Sequence, residues 1–192
     1  ALLQAMSTTR IWNDAIADEV LRKEDAVDHY EDVLGTYLVK LSAKHLSVDD
    51  NRTVNTLLHT IGDFERVSDH AVNLIKTAEE IRDKSIKFSD EALGDLSVLE
   101  AAVQDIVNRT VDAFQKGDTY AAKKIEPLEQ VVDGLVREVK SRHIARLQAG
   151  ACTIEYGFVL DDLLTNYERI ADHCSNIAVA MIEVAADKFD TH

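Results

Sequence analysis

The segment FERVSDHAVNL at Phe64–Leu74 returns 103 residues later as YERIADHCSNI at Tyr167–Ile177, with Glu, Arg, Asp, His and Asn in register. A shared apolar period cannot dictate five polar identities at fixed spacing, so the chain carries two copies of one unit. Whatever one half builds, the other must build too. The division falls between residues 1–88 and 89–192, the first copy opening on a truncated helix.

The unit is helical. Seven glycines and a single proline in 192 residues leave long uninterrupted segments, and Ala, Leu, Val, Glu and Lys dominate them. In the first copy Val54, Leu57, Ile61, Phe64, Ser68, Ala71, Ile75 and Ala78 step by three and four, the stripe of a helix packed in a bundle. Gly157, Leu160, Leu164, Tyr167, Ala171, Cys174, Ala178 and Met181 repeat it, which makes Cys174 a small core residue. A second long helix precedes each stripe, and there Val20, Val27, Tyr30 and Leu34 align with Ile125, Val132, Leu135 and Val139 as the inward face. Ser47 and Ser89 are N-caps, Gly117 with Asp118 is a stop followed by a new cap, and the QAGACT segment closes a helix. Pro127 predicts a kink or a later helix start. The fold class is therefore all-α, with six helices arranged as two tandem three-helix bundles.

Acidic residues are so common that about six acidic pairs at four-residue spacing are expected by chance. Four pairs differ in placement: Glu65 with Asp69 and Glu168 with Asp172 follow core-stripe residues by one position, and in Glu24 with Asp28 and Glu129 with Asp133 the aspartate follows Val27 and Val132 in the same way. One residue is a rotation of about 100°, so all eight carboxylates lie at the margin of the packed face, where neighbouring helices can aim them at a common point. Left alone they repel and raise one another's pKa values; a bound cation reverses that cost. Asn73 and Asn176 sit one turn beyond the aspartates and are candidate ligands or orienting groups. His70 and His173 are placed a further step from the core, facing solvent or a partner, and Arg66 and Arg169 can pair with Asp69 and Asp172.

The net charge of −14 opposes binding to a polyphosphate backbone or an anionic membrane surface. No apolar run reaches the ~18 residues of a membrane span. The bundle lacks the Glu-x-x-His pairs of di-metal oxidases, and the chain has no phosphate loop, HExxH or nucleophile elbow. The expectation is a protein that is not an enzyme. Cys152 and Cys174 have neither zinc-site spacing nor a disulfide-rich context and are expected to be thiols.

ERVSDHAVNL and ERIADHCSNI, each preceded by an ExxxD helix, resemble the duplicated signature of the PhoU family over nearly the whole chain. The resemblance implies two tandem three-helix bundles that regulate phosphate uptake and carry multinuclear metal clusters, iron or zinc foremost, with Mn, Mg or Ca as further candidates. By carry-over Glu24, Asp28, Glu65 and Asp69 form one cluster and Glu129, Asp133, Glu168 and Asp172 the other. The start part-way into the first helix and the SVDDNRTVN stretch before the third resemble the branch of the family fused to a sodium-phosphate symporter. The implied function is a cytoplasmic regulatory domain attached to such a symporter. The alternatives are a free-standing regulator of phosphate transport and signalling and, more remotely, a metal-dependent phosphohydrolase. The implied partner is a membrane phosphate transporter in cis or in trans; a sensor kinase, inorganic phosphate bridging the cations and a second copy of the chain are further candidates, and nucleic acid is not.

Overall fold

A computed structural model describes residues 1–189, which are helical throughout apart from short connections. The helices are α1 (Leu2–Thr8), α2 (Asp14–Ser42), α3 (Val48–Asp83), α4 (Asp90–Lys116), the single turn α5 (Thr119–Ala122), α6 (Ile125–Gln148) and α7 (Ile154–Phe189). The boundaries follow the punctuation in the sequence. Ser47 Oγ accepts from Asp50 N at the start of α3 and Ser89 Oγ from Ala92 N at the start of α4. Gly117 closes α4 at φ +62°, a left-handed conformation that glycine adopts without a Cβ penalty. Asp118 then caps α5 by accepting from Ala121 N, and Gly150, at φ +70°, follows α6.

Pro127 resolves as a later helix start. The predicted fifth helix breaks at Lys123 and Lys124 into α5 and α6, which places Pro127 in the first turn of α6. A proline is tolerated there because the first-turn N–H groups have no intrahelical partner.

α1, α2 and α3 pack on one another, as do α4, α6 and α7, and α3 lies along α7 to join the two sets. The core is continuous, running from Leu2 and Val20 through Leu74 and Leu99 to Tyr167 and Ala178. Both predicted stripes face it: Ala71, Ile75 and Ala78 are buried in α3, and Leu160, Leu164, Tyr167, Ala171, Cys174 and Ala178 in α7. Burial pushes the Cys174 thiol up to about 12, so it is an inert core side chain. Two ion-pair clusters hold α4 in place. Asp95 accepts from Arg142 Nη1 (2.8 Å) and Arg146 Nη1 (2.9 Å) on α6. Glu100 accepts from Arg10 Nη2 (2.7 Å), just beyond α1, and from the buried Tyr167 hydroxyl on α7 (3.2 Å).

The inward face predicted for α2 is only partly inward. Val20 is fully buried, but Tyr30 and Leu34 are 64% and 46% exposed, whereas Val139, the counterpart of Leu34, is 3% exposed. The difference lies in the first helix of each unit. α4 has 27 residues and its first half covers α6, while α1 has seven and reaches only the beginning of α2.

Candidate metal centre

Each carboxylate set is built where the second and third helices of a unit meet. In the first, Glu24 and Asp28 on α2 and Asp69 on α3 bring one oxygen each within 4.8 Å of one another. In the second, Glu129 and Asp133 on α6 and Asp172 on α7 do the same. The two sets occupy equivalent positions of the duplicated sequence.

The remaining two predicted carboxylates flank the sets. Glu65 is hydrogen-bonded to Asp69, and its acid is pushed up to about 7, first by burial and then by Asp69 and Asp28. Glu168 lies near enough to Glu129 to help raise its pKa, although burial, Asp133 and Asp172 contribute more. Glu24 is raised as well, by burial first and then by Asp28 and Asp69. These are the directions expected of partly buried carboxylates crowded by like charges.

The chemistry of the donors fits a cation. Each set offers oxygen ligands only, the donor type that hard divalent ions take. Asp133 Oδ1 is buried and has no hydrogen-bond partner in the structure, a state that normally costs about 1–3 kcal/mol and that an ion would relieve. Arg169 takes Asp172 Oδ2 at 3.1 Å, as the i, i+3 spacing predicts.

The two asparagines are placed differently. Asn176 donates Nδ2 to Asp63 Oδ1 on α3 (3.3 Å), which directs it across the α3–α7 seam and away from the second set. Asn73 is half-buried, and its backbone carbonyl accepts the Thr77 hydroxyl (3.0 Å). The histidines depart from expectation, because neither faces bulk solvent. His70 Nδ1 is 2.8 Å from Asn166 Oδ1, and His173 Nδ1 is 2.9 Å from Asp63 Oδ1. These crossed pairs reflect the antiparallel run of α3 and α7 and are related by the duplication, since Asp63 and Asn166 are themselves 103 residues apart. That match of two acceptor side chains, just before Phe64 and Tyr167, was the signal available in the sequence.

Comparisons with known proteins follow the same lines. The PhoU domain matches residues 2–78 and 96–181. A phosphate-specific transport system accessory protein PhoU homolog from Thermotoga maritima is 22% identical over 189 residues, covering 98% of this chain and 81% of the relative. The homolog from Zymomonas mobilis is 24% identical over 177 residues, covering 92% and 73%. In fold, the chain is similar to crystal structures of PhoU from Pseudomonas aeruginosa (TM-score 0.86, 20% identity, 96% of this chain and 88% of that one) and of the phosphate transport system regulatory protein PhoU from Streptococcus pneumoniae (TM-score 0.81, 17% identity, 96% and 86%).

Proposed function

The chain belongs to the PhoU family, and from that premise we propose that it is an accessory regulator of phosphate transport which acts by binding a partner and metal ions, without catalytic turnover. The relatives it matches are named as accessory proteins of a phosphate-specific transport system. That supports the regulator acting in trans over the module attached to a sodium-phosphate symporter, the first reading of the sequence. The regulator works at the cytoplasmic face of the membrane beside the transporter. Among the described residues no helix is long and apolar enough to cross a membrane.

In this reading Glu24, Asp28 and Asp69, with Glu65 beside them, hold one metal centre, and Glu129, Asp133 and Asp172, with Glu168 beside them, hold the other. When bound, iron, zinc or another divalent ion supplies positive charge to an acidic surface, and inorganic phosphate can bridge to it. The residues' own part is to supply oxygens at a crowded helix seam, more exposed in the first set than in the second, so that metal binding and helix packing depend on each other. The observation that carries the reading is the recurrence of the three-carboxylate set at both equivalent positions, one with a buried oxygen that lacks a partner.

The test is phosphate uptake in cells that lack the protein and are complemented with wild type or with the Asp69→Ala/Asp172→Ala variant. Wild type restores control of uptake as external phosphate rises, and the double variant leaves uptake unrestrained. Equal control by both would refute a role for the centres. Phosphoester hydrolysis by the purified protein with Mn or Zn, lost in the double variant, would favour the hydrolase instead.

A further inference from the structure

The crossed histidine pairs lie between the two candidate centres and touch both helices that carry them. Asp69 and His70 are consecutive on α3, as are Asp172 and His173 on α7. A step of one residue turns by about 100°, so each aspartate faces the carboxylates of its own unit while the histidine beside it faces the other unit. His70 reaches Asn166, which lies two residues before Glu168 and six before Asp172; His173 reaches Asp63, two before Glu65 and six before Asp69.

The contact is close and largely buried. The two imidazoles are 5.7 Å apart between centroids and tilted by 30°, so the pairs form one continuous patch. The His173 and Asp63 side chains are each 15% exposed. Asp63 Oδ1 also accepts from Asn176 Nδ2. The Asn166 amide is turned by its own bond to the Asp162 carbonyl (2.8 Å), which leaves Oδ1 for His70.

We infer that Asp63, His70, Asn166 and His173 are positioning residues that couple the two carboxylate sets, so that an ion bound at one changes the affinity of the other. With an ion held at the first set, Asp69 would close on Glu24 and Asp28 and shift α3 with it. The His70–Asn166 and His173–Asp63 bonds must then break or move α7, and with it Asp172 and Glu168. Rigid helices joined by short polar bonds transmit such a shift without an intervening loop. The inference rests on the metal-binding reading above.

The test is calorimetric titration with Mn2+ alone. Glu129→Ala/Asp133→Ala disables the second set from α6, and Glu24→Ala/Asp28→Ala disables the first from α2; neither touches the histidine pairs. With the other set intact and filled, affinity at each set differs by roughly five- to 150-fold from affinity with the other set disabled, the usual range of coupling between sites. Asp63→Ala collapses that ratio toward one. Asp63→Asn restores it, because it gives His173 the acceptor that Asn166 gives His70. A ratio of one in the wild type, or a ratio that survives Asp63→Ala, overturns the inference and leaves metal binding standing. No binding heat in any variant overturns the metal-binding reading itself.

Discussion

Replacing Glu65 by Gln removes a carboxylate whose folded-state pKa is about 7, against roughly 4.3 in an unfolded chain. Because the folded value is the higher one, the protonated acid contributes stability below pH ~4 that is lost as the pH rises through 7. The metal-free protein therefore becomes less stable between pH 5 and pH 8, and Glu65→Gln removes that loss. That difference corresponds to about 3–4 kcal/mol at most. Solvent screening at this half-buried position reduces it to on the order of 1–2 kcal/mol, or about 2–8 °C in melting temperature for a chain of this size. Urea unfolding in EDTA should find wild type and Glu65→Gln similar at pH 5 and the variant more stable at pH 8. Saturating Mn2+ should reverse the order, since an ion at 100 times its Kd stabilises by about 2.7 kcal/mol and the variant lacks a neighbouring carboxylate. A metal-free Glu65→Gln protein less stable than wild type at pH 8 would refute the idea that the carboxylates repel in the absence of an ion.

Three further outcomes test the packing. Val139→Asp puts a charge into the core and should prevent cooperative folding, whereas Leu34→Asp at the equivalent but exposed position should change the urea midpoint by no more than about 0.5 kcal/mol. Asp95→Ala leaves Arg146, whose Nη2 is already buried without a partner, uncompensated and should cost about 3–5 kcal/mol by the same assay. Gly157→Ala would set a Cβ 2.7 Å from His143 Nε2 and should destabilise by about 1–3 kcal/mol; adding His143→Ala should recover part of the loss, read as a non-additive double-mutant cycle in thermal melts.

Features that depend on local rules were legible in the sequence. Ser47, Ser89, Gly117 and Asp118 act where their side chains and backbone freedom require, and the core stripes of α3 and α7 follow from helical spacing alone. The meeting of Glu24 and Asp28 with Asp69, and of Glu129 and Asp133 with Asp172, reflects the four aspartates each standing one residue past a stripe position of its own helix. Features set by another element were not legible. Tyr30 and Leu34 have the right spacing for a core, but their burial depends on how far α1 extends. Asn176 and the two histidines sit at angles that look peripheral on an isolated helix. They become interfacial only because α7 runs antiparallel beside α3, with Asp63 opposite His173.

The most direct measurement is the metal content, by inductively coupled plasma mass spectrometry, of protein purified without chelator and dialysed against trace Mn2+, Fe2+ or Zn2+. Bound metal in the wild type, reduced by about half in each of Asp69→Ala and Asp172→Ala, and absent from the double variant, is the expected result. Metal retained in full by the double variant, or none held by the wild type at any supplied concentration, would contradict the assignment of the paired carboxylates as two ion centres.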